Sequence, residues 1–301
     1  IREGRVRGTS NDIDAGTVTL AKGTGSPEGG TIENVILAKP VFILEPSGRY
    51  RASADMSIGG GTIGTVPLGA ARAQVEINND GADLNDLTAS IMDGRLDGNA
   101  SIAFSTRSRS VVNASFTGLD LSKLVSLQSG RVIPLEGTTD GRLDLSFAGT
   151  DYRTTSGTVD ATISAVAGRQ GEDRIPVNGR VELTADNGLF TVDQADLRTD
   201  QSSLNATGRF DLRNDDSNLQ LALRSADAGE IMNIVRLTGL APEFESQFDS
   251  VKADVAGRLE FDGRVTGNLS DPTIDGRAAL GTLSLRGRDL GALTSDVLVS
   301  P

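Results

Sequence analysis

The chain has 301 residues and a net charge of −12, and it contains neither histidine nor cysteine. This charge argues against a surface that binds the phosphates of nucleic acid. The missing residue types remove the commonest general base, the commonest zinc ligand and any thiolate nucleophile. We therefore predict a protein that is not an enzyme and has no catalytic residues, no metal and no cofactor. No apolar run approaches the roughly 18 residues that a membrane-spanning helix needs, so we also predict no transmembrane segment.

Alternation of apolar and polar residues recurs along almost the whole chain and predicts strands with one apolar face. The clearest examples, in chain order, lie at residues 75–77, 102–104, 112–116, 159–163 and 219–223. Clusters of Asn, Asp and Gly separate these stretches, as is typical of hairpin turns.

Residues 59–64 match the dinucleotide-binding pattern G-x-G-x-x-G. No βαβ unit follows them, and Pro67 stands where the helix of such a unit should run. We interpret this stretch as a glycine turn or bulge.

A short unit, Gly-Arg-x-acid, occurs at residues 94–97, 141–144, 179–182, 208–211 and 257–260. On a strand, the arginine and the acid of each unit share one face. We predict that the arginine offsets the charge of the acid on a solvated face, so that the acids are architectural and not catalytic.

Two short stretches leave the strand pattern and predict amphipathic helices that begin near Asp120 and Asp227. Each aspartate stands at an N-cap position, and apolar residues follow it at helical spacing. Asp227 together with Glu230 resembles a capping box. Such short helices are not stable alone, so we expect each to lie against the apolar face of the sheet.

The two predicted helices begin 107 residues apart, and the strands before them match at nearly the same offset. We infer one continuous β-repeat segment with a partial super-repeat at residues 1–69 and further copies at 70–175 and 176–301. Stacked repeats of this kind form an elongated body.

The predicted fold is mainly β: an elongated, curved, single-layer repetitive sheet with a few short amphipathic helices. A single layer must bury its apolar face against a second sheet, against helices or against something that is not protein. A β-sandwich or a closed solenoid filled with its own side chains would satisfy this requirement. The third possibility is a taco-like trough whose apolar interior accepts acyl chains. The side chains predicted to line it are Leu143, Leu145, Phe147, Phe210, Leu212, Leu219, Leu221, Leu223, Leu259 and Phe261.

Residues 257–276, GRLEFDGRVTGNLSDPTIDG, resemble the run G-x-L-x-G-x-L-x-x-P-x-x-x-G of the AsmA-like superfamily, TamB branch (translocation and assembly module). The continuation at residues 283–291 is similar to that family too, as is the order of a helix followed by strands after Asp120 and Asp227. The resemblance is sharpest over residues 225–301 and 118–165.

The resemblance implies a periplasmic segment of a longer envelope protein that is anchored in the inner membrane of a diderm bacterium. Members of that family have a β-rich body with an apolar groove and are implicated in phospholipid traffic to the outer membrane. They have no catalytic residues. The expected partners are phospholipid acyl chains, and an outer-membrane barrel protein that would bind through regions outside this chain.

Three functions remain open from the residues. The first is a passive conduit that carries phospholipid between the inner and outer membranes along the apolar face. The second is a scaffold or chaperone for outer-membrane β-barrel assembly and secretion, which would pair its strand edges with a client. The third is a surface stalk or adhesin built as a β-solenoid. Uneven strand spacing and the interrupting helices count against the third.

Overall fold

The computed structural model describes residues 6–20, 29–64, 66–129, 135–166, 174–214, 216–238, 253–269, 272–285 and 288–300. The described residues are mainly β, which confirms the predicted fold class with its few short helices.

The elements follow one another in a long succession of strands that two helices interrupt. In chain order they are β1 (Val6–Thr9), β2 (Ile13–Leu20), β3 (Gly30–Leu44), β4 (Tyr50–Ile58), β5 (Gly60–Ile63), β6 (Val66–Asn78), β7 (Gly81–Ile91), β8 (Gly94–Ala103), β9 (Arg109–Asp120), α1 (Leu121–Ser129), β10 (Leu135–Glu136), β11 (Thr138–Ala148), β12 (Asp151–Ser164), β13 (Ile175–Pro176), β14 (Asn178–Asp186), β15 (Leu189–Arg198), β16 (Ser202–Asp211), β17 (Asp216–Ser225), α2 (Ala228–Thr238), β18 (Ala253–Thr266), β19 (Thr273–Leu285), β20 (Arg288–Asp289) and β21 (Leu293–Val299).

The order of elements is the same in two parts of the chain. Strands β6–β9 precede α1, and strands β14–β17 precede α2; two long strands then follow each helix, β11 and β12 in one case and β18 and β19 in the other. The super-repeat boundaries themselves stay a prediction.

The chain divides into two compact units. The first consists of the described residues within Ile1–Leu119, Asp140–Val159 and Ala185–Gly188, and the second of those within Asp120–Thr139, Asp160–Thr184 and Leu189–Pro301.

In the first unit, β3, β4, β6, β7, β8 and β9 form successive antiparallel pairs, and β1 and β2 pair with different parts of β3. Residues directly opposite one another across antiparallel strands share a face. One such row is almost entirely apolar: Phe42, Ala52, Ile77, Ala82 and Ile102. The neighbouring row on the other face is polar: Ser53, Glu76, Asp83 and Ser101.

In the second unit, β15, β16, β17, β18, β19 and β21 are paired in the same antiparallel manner. Its faces are sorted in the same way. An apolar row runs through Gly208, Leu219, Val265, Ile274 and Val299. A row on the other face runs through Ala222, Asp262, Arg277 and Asp296.

Both predicted helices are confirmed, and each begins directly after its predicted aspartate. The Asp120 carboxylate accepts a hydrogen bond from the backbone N–H of Lys123 at 3.0 Å, and the Asp227 carboxylate accepts one from the N–H of Gly229 at 2.9 Å. These bonds satisfy N–H groups that have no partner within the helix.

The predicted capping box at α2 is wrong. The backbone N–H of Asp227 donates to the Ser225 hydroxyl at 3.1 Å. The Glu230 carboxylate instead accepts hydrogen bonds from the hydroxyls of Thr199 and Ser202. Glu230 therefore ties the first turn of α2 to the end of β15 and the beginning of β16.

A small hydrophobic core in the second unit holds the helices against the strands. Its buried members are Leu121, Ile163, Ile175 and Val177. Val125 of α1 and Ile234 of α2 pack against this cluster. Both helices therefore contribute to the core of the second unit, as expected for short amphipathic helices that need tertiary packing for stability.

Candidate apolar binding faces

Six of the ten predicted lining residues lie together on one face of β16, β17 and β18. We call this surface the leucine face; the six are Phe210, Leu219, Leu221, Leu223, Leu259 and Phe261. Their common orientation follows from period-two alternation combined with the observed register. Leu221, for example, lies opposite Ala206 on one side and Gly263 on the other. The face continues onto β15, where the ring of Phe190 stacks on that of Phe210 at a centroid distance of 5.0 Å.

The six side chains of the leucine face are all half-buried. Leucine and phenylalanine in a closed core are normally almost wholly buried, because protein interiors are packed as densely as organic crystals. Buried apolar residues do occur on the same face, but they are at its margins, as Phe190 at 9 % exposure and Val265 at 8 %. The centre of the leucine face is therefore accessible from solvent.

Glycines shape the surface beside Leu221. Gly263 and Gly276 face each other on β18 and β19, and the ring of Phe261 lies over both. A β-carbon added to Gly263 would come within 2.3 Å of that ring. The glycine pair therefore gives Phe261 room to lie flat along the leucine face.

The opposite side of these strands is polar and carries ion pairs. The Arg224 guanidinium lies 2.9 Å from the carboxylate of Asp262 and 3.9 Å from that of Glu260. This sheet therefore separates an apolar surface from a charged one by the thickness of a single layer.

The other four predicted residues lie elsewhere. Leu143, Leu145 and Phe147 are half-buried on β11 in the first unit, where they alternate with the exposed Arg142 and Asp144. Leu212 follows the last residue of β16 and lies in the turn before β17, so it does not belong to the leucine face.

The first unit contains an apolar depression that the sequence did not single out. Its volume is about 380 Å³ and no charged residue lines it. We call it the alanine slot: its floor is formed by Ala52 and Ala54 of β4, and its walls by Ile13, Leu37, Phe42 and Val75. A local signal was present in the small residues of β4 beside the apolar run 41–44, but the walls come from three further strands whose register the local pattern does not give.

The recurrent Gly-Arg-x-acid unit behaves as predicted in two copies. Arg95 and Asp97 approach within 2.7 Å, and Arg180 and Glu182 within 2.6 Å. The hydrogen bond to Asp97 raises the pKa of Arg95 above its ordinary value. Both pairs are on exposed strand faces, where such pairs contribute little to stability.

In two other copies the predicted pairing is wrong, because the acid binds a different arginine. Asp211 pairs with Arg213 at 3.0 Å, and the resulting hydrogen bonds lower the pKa of Asp211. Glu260 lies nearest Arg224 on the neighbouring strand β17. In these four copies the acid thus lies beside an arginine on a strand face or in a turn.

Residues 59–64 contain the short strand β5, which pairs with β3 and β6, and a turn at Gly64. No helix follows, since β6 begins at Val66. Within the described part of the chain, no group of three acidic side chains is placed to bind a metal ion.

Neither described helix is long and apolar enough to cross a bilayer. No protein-family model, curated protein or solved structure matches the chain.

Proposed function

We propose that this chain is a non-enzymatic, periplasmic segment of an inner-membrane-anchored lipid-conduit protein. It carries phospholipid between the inner and outer membranes by shielding acyl chains from water along its apolar sheet faces. The observation that supports this proposal is the leucine face: rows of Leu and Phe side chains from three adjacent strands that are only partly buried.

The proposed mechanism is passive. An acyl chain that lies on the leucine face removes its own apolar surface and that of the side chains from water, at about 0.8 kcal/mol for each methylene group buried. The leucine face offers rings and branched aliphatic side chains, with no charged residue in the rows through Leu219, Leu221 and Leu223. An acyl chain can therefore move along these rows without crossing a polar barrier.

Native mass spectrometry of the purified chain tests the proposal directly. We expect phospholipid to remain bound after purification from bacterial membranes and to exchange with added vesicles. A chain that carries no lipid and takes none from vesicles would contradict the proposed function.

A second function has one observation in its favour. In the described pairings, β21 bonds to β19 along one edge, and its other edge has no partner strand. Asp296 is the one charged side chain of β21 and lies next to Arg277 of β19. This strand therefore has little charge to discourage its free edge from pairing with another strand. Such an edge can accept an extended segment of a client protein, as a scaffold for β-barrel assembly would require.

A further inference from the structure

The alanine slot differs from the leucine face because it is a depression with a floor and walls. On β4, Ala52 lies between Phe42 of β3 and Ile77 of β6, and Ala54 lies opposite Val75. Two small side chains between larger ones leave a hollow on this apolar face.

A β-bulge lies beside the hollow. Lys39 and Pro40 of β3 together stand opposite the single residue Ala54 of β4. The backbone of Lys39 has φ of 50°, a value that non-glycine residues rarely adopt. A bulge of this kind bends its strand and increases the local twist. In this strand it separates Leu37 from Phe42, the two β3 walls of the slot.

The walls of the slot are themselves incompletely covered. Ile13 is 41 % exposed and Phe42 is 44 % exposed. Phe42 stacks on Tyr50 with ring centroids 6.2 Å apart, which holds its ring at one end of the slot. Apolar side chains that leave a hollow between them gain dispersion contacts when an apolar ligand lies in it, so their arrangement favours such a ligand.

The slot crosses β2, β3, β4 and β6, so it extends over three strand spacings, or about 14 Å. Its volume of about 380 Å³ is within the range of small-molecule sites. An elongated hollow without a charged lining residue fits an unbranched hydrocarbon chain better than a compact polar ligand.

We propose that the alanine slot is a retention site for one unbranched alkyl chain, held between Phe42 and Val75 above Ala52 and Ala54. This inference rests on the proposed function and deepens it. The leucine face offers a surface along which acyl chains move, whereas the slot holds one alkyl chain at a fixed place in the first unit.

The test uses the purified chain and a photoreactive monoacylglycerol that carries a diazirine near the end of its single alkyl chain. Its neutral headgroup removes any effect of the net charge of the protein. After irradiation, labelled peptides are mapped by mass spectrometry. We expect labelling within residues 8–13, 37–42, 52–54 and 75–77 at a stoichiometry near one.

The variant Ala54→Phe fills the floor of the slot with a ring. Each methylene group kept out of the slot weakens binding about fourfold, so a ring that displaces two should lower labelling of the slot by roughly tenfold or more. The matched control is Ala222→Phe, at a half-buried strand position on the polar face opposite the leucine face. It should leave labelling of the slot unchanged. Phe42→Ala removes an exposed wall of the slot and should also lower labelling. Because this variant introduces no larger side chain, its folding does not depend on making room for a ring.

The labelling map of the unmodified chain decides the matter even if a variant does not fold. Labels confined to the leucine face would overturn the inference that the slot retains an alkyl chain, but would leave the proposed function unchanged. The absence of labelling on both surfaces would overturn the proposed function as well. A folded Ala54→Phe chain that labels the slot as strongly as the unmodified chain would also overturn the inference.

Discussion

Replacing Leu221 by aspartate tests whether the leucine face is open. Leu221 is mostly but not fully buried between Ala206 and Gly263, so its side chain contributes most of the 1.5–3 kcal/mol expected for full burial, or roughly 2 kcal/mol. Aspartate is also a poor strand residue, which adds up to about 1 kcal/mol. On an open face the carboxylate stays hydrated, and we expect Leu221→Asp to lower the free energy of unfolding by about 3 kcal/mol.

The matched control is Gln220→Asp, one residue earlier and on the polar face. It carries the same strand-propensity cost, and the new carboxylate would lie opposite Arg264, which favours it. We therefore expect less than about 1 kcal/mol of destabilisation for the control. The difference between the two variants then reports the environment of position 221 and not the effect of aspartate on strands.

Two measurements complete the test: urea denaturation followed by circular dichroism, and native mass spectrometry of bound phospholipid. Leu221→Asp should remain folded and lose lipid, while Gln220→Asp should keep both its stability and its lipid. A loss above about 4 kcal/mol for Leu221→Asp alone would show a buried, unpaired carboxylate and refute the open face. A folded Leu221→Asp chain with undiminished lipid would refute the assignment of this face to cargo.

Three further predictions concern stability. Glu230→Gln weakens the hydrogen bonds that tie α2 to the end of β15 and the beginning of β16, so it should lower the free energy of unfolding by about 1–3 kcal/mol. Faster amide hydrogen exchange in residues 228–238 would show that α2 is held less firmly. Gly208→Ala should destabilise the fold by about 2 kcal/mol or more, because φ of Gly208 is +136° and the added β-carbon would come within 2.3 Å of a backbone oxygen. The control is Gly8→Ala, whose added β-carbon meets nothing within 4 Å. It should leave the free energy of unfolding nearly unchanged in the same urea titration. Arg213→Ala should raise the pKa of Asp211 toward its ordinary value in a carboxyl NMR titration. Because that pKa is lowered in the folded chain, the pair stabilises the fold above the ordinary pKa of aspartate, and this contribution is lost as pH falls through the lowered value; an unchanged titration would exclude the pairing.

Local patterns determined the faces of the strands and the beginnings of the helices. Alternation at residues 219–223 correctly placed Leu219, Leu221 and Leu223 on one side, because the side-chain period of a strand depends only on its own backbone. Asp120 and Asp227 marked helix starts because an N-cap bond joins residues two or three positions apart.

Local patterns failed where the partner comes from another strand or lies beyond the short unit considered. The spacing in Gly-Arg-x-acid predicted a pair between Arg209 and Asp211, yet Asp211 binds Arg213 in the turn. The capping-box spacing predicted that Glu230 would bond back to its own helix, but two hydroxyls of a neighbouring turn reach its carboxylate instead.

The sequence by itself therefore determined that this is a strand protein with one apolar and one polar side. Only the tertiary structure decided which strands adjoin and in which register, and hence that six of the ten predicted lining residues meet on the leucine face while Leu212 lies in a turn. It also decided that residues from β2, β3, β4 and β6 enclose the alanine slot. The physical reason is that alternation depends on neighbouring residues in the chain, whereas exposure and hollows depend on how side chains from different strands pack against one another.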